Sequence, residues 1–357
     1  MRYINLGTVP AEDSQAVYHA LADLMTSDQP ITLVTVSPES PYVCVGYHQV
    51  AHREVDRPYC DAHDIPVGRR MVGGGAVWLD HDQIFWHLIL PRQHASVDAL
   101  YRKFVAAPVN AYRKMGIAAL HRPVNDIVVG PRKIGGTGAS TIGDADLLVG
   151  SIMMDFDTQA MARVLNVPSE KFRDKMVSSL TDYMTTVKRE LGDGAPSRDE
   201  ATQLLVEAFR DLLEEPVIPM RLTLAEQERL AYYRHRLFDP AFVYRNEGYL
   251  VPGVKIKGDV RLFEGMHKAP GGLVRVIWRE SQGLIDDITV GGDFFVTPRD
   301  GLQRLEQALK GKPVDLKGLT VAVRGVWTGL DAPGVTVDDI LAAFAAGQAL
   351  SVVGAPE

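Results

Sequence analysis

The chain has 357 residues, of which 46% are hydrophobic and 23% charged, and its formal net charge is -7. This length predicts about two domains, and the mixed charges exclude a bulk nucleic-acid binder, which would carry a basic stripe. There are only two cysteines, Cys44 and Cys60, and no stretch reads as a signal peptide or a membrane span. We therefore expect a cytoplasmic protein without disulfides, whose partners include neither nucleic acid nor membrane.

The first half of the chain mixes helical and strand patterns. Apolar residues at helical spacing after Pro10 predict an amphipathic helix, and a second helix is expected over 97–115, with a kink or early stop at Pro108. Short runs of β-forming residues predict strands at 31–37, 42–48, 84–90, 126–129 and 146–155. The segment 130–145 between the last two strands is expected to be a loop.

The second half begins with helices. Ser197 with Glu200, and Thr223 with Glu226, form capping-box patterns that each predict the start of a helix. A helix is also expected from Thr158 to Leu165.

From about residue 240, glycine alternates with β-forming residues, which predicts a meander of short strands closed by a helix at 300–309. We therefore expect an α/β (α+β) domain over 1–220, with a mixed β-sheet flanked by helices. A helical connector at 221–239 and a smaller α+β domain at 240–357 should follow.

The first segment with possible chemistry is RRMVGGGAV, from Arg69 to Val77. Gly73, Gly74 and Gly75 let the backbone approach a ligand closely, and their N–H groups can cradle an anion. Arg69 or Arg70 would supply fixed positive charge for the same anion. A tight turn between strands, with surface arginines, is an equally good interpretation of this segment alone.

The second segment is NDIVVGPRKIGG, which ends at Gly136. Lys133 follows a Gly-Pro turn and can neutralise a carboxylate and a phosphate together, as formation of an acyl-adenylate requires. Asp126 can orient that lysine or hold Mg²⁺. Alone, the segment is read more simply as a hairpin with a solvated lysine.

Taken together, in this order and about fifty residues apart, the two segments resemble the lipoate–protein ligase family of the biotin and lipoate ligase superfamily. The resemblance covers most of the chain, including the segments at 41–50, 147–157 and 161–175. It extends to 253–276 and 291–295, which look like the accessory B-type domain that some of these ligases carry as a separate subunit. In the family, that domain is required for adenylation.

The resemblance implies a reaction and a set of site residues. Lipoate and ATP, with Mg²⁺, would give lipoyl-AMP, and the lipoyl group would pass to a lysine of an acceptor protein. Lys133 would be catalytic. The implied ATP or adenylate site comprises Arg70, Gly75, Ala76, Val77, Trp78, Asn125, Asp126 and Lys133, with Asp126 also the candidate Mg²⁺ ligand. The implied lipoate site comprises Arg70, Gly73, Gly74, Gly75, Lys133 and Gly136.

The acceptor is expected to be a lipoyl domain, an H-protein-like carrier or a dedicated lipoate-binding protein. The chain departs from the family pattern at Leu79 and Gln83, where the family usually has histidine and asparagine. These departures leave the preference between lipoate and octanoate open. The segment around His267 and Lys268 reads equally well as a functional loop and as a Pro-Gly turn.

Two alternatives stay open at this point. One is an octanoyl or lipoyl transferase that takes the acyl group from a carrier without ATP, and the other is a non-catalytic family member that only binds the cofactor. Such transferases need an accessible thiolate. Cys44 lies in the middle of a predicted strand, and Cys60 lies beside acidic residues that would raise its pKa. Both positions disfavour covalent catalysis.

Overall fold

The computed structural model describes residues 1–167, 169–245 and 260–350. The chain divides into two compact units. The first comprises Met1–Val45, Arg53–Val72 and Ala76–Val243, and the second comprises Gly46–His52, Gly73–Gly75 and the chain from Tyr244 onward. The domain boundaries expected from the sequence stay a prediction, and the part of the expected meander at 246–259 lies outside the described residues.

The first unit is built on a large mixed sheet and a small one. Their strands, in chain order, are β1 (Arg2–Val9), β2 (Thr32–Pro38), β3 (Tyr42–Val45), β4 (Val67–Arg69), β5 (Val77–Leu79), β6 (Gln83–Pro91), β7 (Leu120–Arg122), β8 (Asp126–Val129), β9 (Arg132–Ile142), β10 (Ala145–Met153) and β11 (Ile218–Pro219). The large sheet has the order β11-β1-β2-β6-β10-β9-β8-β7, and the small one has the order β4-β3-β5. Strand β1 pairs in parallel with β2 and β11, whereas the other pairs of the large sheet are antiparallel.

Helices cover both faces of the large sheet. The helices up to residue 243 are α1 (Ala11–Asp23), α2 (Ala51–Glu54), α3 (Arg57–Ala62), α4 (Val97–Phe104), α5 (Ala106–Lys114), α6 (Thr158–Val164), α7 (Glu170–Tyr183), α8 (Val187–Leu191), α9 (Arg198–Leu213), α10 (Leu224–Phe238) and α11 (Pro240–Val243). On one face, side chains such as Trp86 and Leu148 form a core with residues of α4, α5 and α9, including Phe104 and Phe209. Helix α1 packs on β2 and β6 from the other face. Because side chains alternate along a strand, His87 points to the α1 face when Trp86 points to the core.

Local sequence signals for helix ends are confirmed. Ser197 and Glu200 form a complete capping box at the start of α9, and Thr223 and Glu226 form another at the start of α10. In each box the hydroxyl accepts from the N3 backbone N–H, and the glutamate accepts from the N-cap N–H. The expected break in the helix at 97–115 is also present, but it lies at Val105 and places Pro108 in the first turn of α5. There its missing N–H leaves no hydrogen bond unmade.

The prediction of a loop at 130–145 is wrong. Residues Arg132–Ile142 form β9, joined to its neighbours by tight turns at Gly130 and Gly143, both with φ of 54°. Strand β9 pairs with β8 on one side and β10 on the other. Three of its eleven residues are glycines, which weaken a strand, so hydrogen bonding on both sides decides the conformation.

The second unit contains an antiparallel sheet and three helices. The strands are β12 (Val260–Ala269), β13 (Gly272–Ser281), β14 (Leu284–Gly292) and β15 (Gln348–Ala349), in the order β14-β13-β12-β15, and the helices are α12 (Gly301–Leu309), α13 (Leu316–Trp327) and α14 (Val337–Ala345). The three helices bury apolar side chains such as Leu305, Val323 and Phe344 in a common core with Val276 and Trp278 of the sheet. The expected fold class, a mixed sheet flanked by helices plus a smaller α+β domain, is confirmed.

His267 and Lys268 lie within β12 and not in a loop. The His267 Nε2 atom is 3.0 Å from Asp339 Oδ1, and the other oxygen of Asp339 accepts from the backbone N–H of Thr336 in the capping box of α14. The pair therefore ties β12 to the start of α14. No helix in the described parts of the chain is both long and apolar enough to cross a bilayer.

Candidate functional site

Four side chains of the first unit form a charged group, here called the lysine cluster: Arg122, Asp126, Lys133 and Tyr183. The Lys133 ammonium lies 2.7 Å from Asp126 Oδ1. The other oxygen, Oδ2, accepts hydrogen bonds from Arg122 Nη2 at 2.8 Å and from the Tyr183 hydroxyl at 3.0 Å. Arg122 also donates to the Tyr183 oxygen at 2.5 Å. The sequence placed Asp126 and Lys133 in one segment, and the fold adds Arg122 from β7 and Tyr183 from the end of α7.

The lysine cluster carries more positive than negative charge. Two cations, Arg122 and Lys133, surround one carboxylate, which leaves a surplus of one positive charge. Burial raises the pKa of Asp126, but the charge of Lys133 and hydrogen bonds from Arg122, Lys133 and Tyr183 outweigh burial and lower it. Asp126 is therefore ionised at neutral pH. Because an ammonium has three N–H donors, Lys133 is suited to bind a carboxylate or a phosphate beside its aspartate.

The backbone around Lys133 is held at several points. Lys133 lies at a register shift between β8 and β9, and its carbonyl accepts from the N–H of Thr185 at 2.8 Å. Gly136 is opposite Asp126 in the pairing of the two strands. A Cβ at Gly136 would lie 3.2 Å from Lys133 Cε and Nζ. The glycine therefore allows the lysine side chain to lie flat across β9.

Asn125 has a structural contact in the turn before β8. Its Nδ2 donates to the Thr137 carbonyl at 2.9 Å, and the Thr137 hydroxyl donates to the Asn125 carbonyl at 2.8 Å. These bonds fix the entry of the chain into β8 and so the position of Asp126. A contact between Asn125 and nucleotide stays a prediction.

The segment before the glycines lies over the α1 face of the sheet. Arg70 is held by its Nη1, which donates to the Cys44 carbonyl at 3.0 Å, and by its backbone N–H, which donates to Val45. Met71 is held on both sides: its N–H donates to His19 Nε2 at 2.9 Å, and its carbonyl accepts from the Ser140 hydroxyl of β9 at 3.4 Å. His19 thus positions the residue next to Arg70.

Gly73, Gly74 and Gly75 belong to the second unit. The Gly74 N–H donates to the Phe294 carbonyl at 3.3 Å, and a Cβ at Gly73 would lie 2.6 Å from that carbonyl oxygen. Gly74 has a φ of 94°, which favours glycine. Close backbone packing at Gly73 and the positive φ of Gly74 therefore explain two of these glycines in the structure. The contact of the three glycines with lipoate stays a prediction.

Residues 76–78 follow directly, and Val77 and Trp78 form β5 against β3. Trp78 Nε1 donates to Asp80 Oδ2 at 2.7 Å, and Gln83 Nε2 donates to the Trp78 carbonyl at 3.1 Å. Gln83 thereby closes the turn between β5 and β6. Leu79 is the last residue of β5 and brings no polar group to the turn, so neither departure from the family pattern leaves a gap in the local hydrogen bonding. The predicted ATP contacts of Ala76, Val77 and Trp78 stay predictions.

Both cysteines are buried and free. Burial raises the pKa of Cys44, and burial together with the nearby charges of Asp56 and Asp61 raises the pKa of Cys60 to about 11. The expected effect of acidic neighbours on Cys60 is confirmed. The charges of Arg70 and Arg69 lie near Cys44 and oppose the rise in its pKa, but this thiol is buried, and Cys60 has acidic neighbours. Neither thiol therefore combines the positive surroundings and the access that a nucleophilic cysteine requires.

The residues around Asp126 do not fit a bound Mg²⁺. Its two oxygens already face a lysine, an arginine and a tyrosine hydroxyl, and two cations would repel a third. Across 1–167, 169–245 and 260–350, no group of three His, Cys, Asp or Glu side chains is placed to hold a metal ion. Asp126 instead holds the Lys133 ammonium at 2.7 Å, and its role in orienting Lys133 for catalysis stays a prediction.

Sequence reasoning missed Arg122, Tyr183 and His19. Arg122 stands four residues before Asp126, a spacing that a hairpin can bring together, but Tyr183 and His19 carry no local signal. Tyr183 is fifty residues beyond Lys133. The pairing of Met184 with Lys133 and the hydrogen bond from Thr185 bring it to the site.

Known families and structures match both parts of the chain. A family model described as lipoyl protein ligase A/B catalytic domain matches residues 10–210, which is more than half of the chain, and a model of the bacterial lipoate protein ligase C-terminus matches residues 263–344. The family expected from the sequence is confirmed.

Among curated proteins, the chain is 31% identical over 181 residues to lipoate-protein ligase A subunit 1 of Thermoplasma acidophilum, covering 48% of this chain and 68% of that protein. It is 27% identical over 281 residues to lipoate–protein ligase 1 of Staphylococcus aureus, covering 76% and 78%. It is also 27% identical over 224 residues to octanoyltransferase LipM of Kyrpidia tusciae, covering 56% and 81%.

Solved structures share the fold. A bi-partite lipoate protein ligase of Thermoplasma acidophilum, studied with its E2 lipoyl domain, matches 71% of this chain and 98% of that chain, with 26% identity and a TM-score of 0.63. A lipoate-protein ligase A bound with ATP matches 68% and 98%, with 23% identity and a TM-score of 0.60.

Proposed function

Because this chain belongs to the lipoyl protein ligase A/B family, we propose that it is an ATP-dependent lipoate–protein ligase. The lipoate carboxylate attacks the α-phosphate of ATP, pyrophosphate leaves, and lipoyl-AMP is formed. The ε-amine of an acceptor lysine then attacks the acyl carbon, which gives an amide and releases AMP. The observation that carries the proposal is the lysine cluster. Its surplus positive charge suits the approach of two anions, which the formation of an adenylate requires.

The residues of this chain contribute charge and position. Lys133 neutralises the carboxylate and the α-phosphate oxygens as they approach, and it stabilises the negative charge that grows on the phosphate in the transition state. Asp126 holds the ammonium in place, while Arg122 and Tyr183 hold Asp126. Arg70, fixed on the Cys44 carbonyl, supplies a second positive charge. Magnesium would enter with the substrate, as Mg·ATP, and would supply positive charge there.

The acceptor is proposed to be a lipoyl domain. The structurally similar archaeal ligase was studied with its E2 lipoyl domain, and such a domain presents a lysine to the adenylate. An H-protein-like carrier or a dedicated lipoate-binding protein would meet the same chemical requirement. Locally positive surfaces of the ligase must recognise an acidic acceptor, because the net charge of the chain is -7.

A second function, acyl transfer between carrier proteins without ATP, is supported by the similarity to octanoyltransferase LipM. Such transfer through a thioester would need an accessible thiolate, and the two cysteines of this chain are buried with raised pKa values. The ligase reaction needs no cysteine, which is why it is preferred.

Acid-dependent exchange of pyrophosphate into ATP tests the proposal. The full chain should catalyse exchange with lipoate and give no exchange with biotin or without acid. It should also transfer lipoate to a lipoyl domain when ATP is present, and the double variant C44S/C60S should do the same. Transfer of octanoate from one carrier to another in the absence of ATP, without any exchange, would establish the second function instead. A chain that binds lipoate but catalyses neither reaction would be a non-catalytic family member.

A further inference from the structure

Two buried histidines flank one tyrosine on the α1 face of the large sheet. The ring centroid of Tyr18 on α1 lies 4.0 Å from that of His19 and 4.6 Å from that of His87 on β6. His19 is 0% exposed and His87 is 4% exposed. These three residues are here called the histidine face.

Both ring nitrogens of His19 have partners. Its Nδ1 lies 2.8 Å from the Gln15 carbonyl, and its Nε2 lies 2.9 Å from the Met71 N–H. A carbonyl only accepts and a backbone N–H only donates, so Nδ1 carries the proton and the ring is neutral. His19 is thus explained by its part in holding Met71.

His87 differs, because its buried Nδ1 has no hydrogen-bond partner among the described residues. Burial lowers the pKa of His87 to about 3, so the ring is neutral. Its neighbours across the sheet are Val34 on β2 and Val149 on β10, whose side chains cannot form a hydrogen bond. A buried polar atom without a partner is uncommon in a folded protein and calls for a role.

His87 lies about one acyl-chain length from the lysine cluster. Gly138, Val149 and His87 are directly opposite one another on three adjacent strands, so they share a face. Gly136, which Lys133 overlies, is two residues before Gly138 on that face. With strands about 4.8 Å apart and about 3.4 Å per residue along a strand, Gly136 and His87 are separated by about 12 Å. An extended eight-carbon acid spans about 9 Å between its end carbons, since each of its seven C–C bonds of about 1.5 Å advances about 1.3 Å along the zigzag. The two side chains close the difference.

We propose that His87 is a specificity-determining residue of the acyl site, whose unpartnered Nδ1 donates a hydrogen bond to a sulfur at the far end of lipoate. This inference rests on the proposed function, in which the carboxylate of the acid lies at Lys133. Octanoate has the same length but ends in a methyl group, so it would leave the nitrogen without a partner. A site with a buried polar group discriminates against the analogue that cannot satisfy it. His87 therefore selects lipoate over octanoate.

The test compares lipoate with octanoate in wild type, His87→Leu and His87→Gln. Leucine removes the hydrogen bond at similar volume, whereas glutamine restores a donor. The kcat/KM ratio of lipoate to octanoate in pyrophosphate exchange should fall about fivefold in His87→Leu, the size expected for one neutral hydrogen bond, and recover in His87→Gln. The control His19→Leu should slow both acids together, because it releases Met71, and leave the ratio unchanged.

An unchanged ratio in His87→Leu, or an equal loss for both acids, would overturn the assignment. Calorimetric Kd values for the two acids give the same ratio without any reaction, so failure of the ligase proposal would not hide the result. If His87→Leu does not fold, the wild-type chain still decides: equal Kd values for lipoate and octanoate would refute selection by His87.

Discussion

The lysine cluster and the histidine face lie on the same sheet but differ in charge and in exposure to solvent. The lysine cluster sits towards one edge, on β7, β8 and β9, where the side chains of Lys133 and Asp126 remain 25% and 17% exposed. The histidine face lies at the centre under α1, and its groups are neutral and almost fully buried. Because an isolated charge is costly to bury, charged chemistry belongs near the edge, whereas selection by a neutral hydrogen bond is possible in the interior.

Removal of the lysine ammonium should have the largest effect. We expect Lys133→Ala to lower lipoate-dependent exchange by at least about 100-fold, the usual cost of losing one transition-state donor. Lys188, which pairs with Asp155 at 2.9 Å but is 71% exposed, offers a matched control, and Lys188→Ala should keep wild-type exchange. Normal exchange by a folded Lys133→Ala variant would remove the basis of the proposed function.

The low pKa of His87 in the histidine face should make the stability of the folded chain depend on pH. The pKa of His87 is about 3 in the folded chain, whereas an unfolded histidine titrates near 6.5. Between these pH values only the unfolded state binds the proton. The contribution of the neutral His87 ring to the free energy of unfolding is therefore complete above about pH 6.5. It is lost towards pH 3, by up to about 1.4 kcal/mol per pH unit.

Urea unfolding of wild type and His87→Leu at pH 7.5 and 4.5 measures that contribution. The stability of the variant should fall less than that of wild type on acidification, whereas His235→Leu, on the exposed side of α10, should behave as wild type does. The lowered pKa of Asp126 affects stability in a different pH range. Its contribution to the free energy of unfolding is present above the unfolded pKa of about 4 and is lost only below it. If wild type and His87→Leu lose the same free energy of unfolding between pH 7.5 and 4.5, His87 is not a buried neutral ring in the folded chain.

A methyl group beside the lysine side chain should lower the activity of the lysine cluster without abolishing it. In Gly136→Ala, the new Cβ would lie 3.2 Å from Lys133 Cε and Nζ, so the ammonium must give way by a few tenths of an ångström. We expect exchange to fall about tenfold, in line with the cost of a misplaced catalytic group. Gly194→Ala, where a Cβ meets nothing within 4 Å, is the control. Equal activity of the two variants would show that Lys133 does not need its place over Gly136.

The smallest effect is expected from the outermost member of the lysine cluster. Tyr183→Phe removes one of the hydrogen bonds to Asp126 but leaves Arg122 and Lys133 in place. Exchange should fall about threefold, which corresponds to part of one hydrogen bond, and the exposed Tyr232→Phe should have no effect. A loss as large as that of Lys133→Ala would mean that Tyr183 itself contacts a substrate.

Several features of the fold and site were readable from the sequence because they depend on neighbours in the chain. The capping boxes at Ser197 and Thr223 are closed by hydrogen bonds across three residues. Asp126 and Lys133 occupy one hairpin, so their spacing alone brings them together. The order of the glycine and lysine segments was enough to indicate the family.

Tertiary structure alone decided the rest. Strand β9 exists because β8 and β10 pair with it, although its three glycines favour a loop. Tyr183 reaches Asp126, His19 holds Met71, and His87 lies in line with Gly138 only through contacts between residues distant in sequence. Short-range hydrogen bonds leave a local pattern, whereas the pairing of strands and the partners of buried polar groups depend on which distant segments pack together.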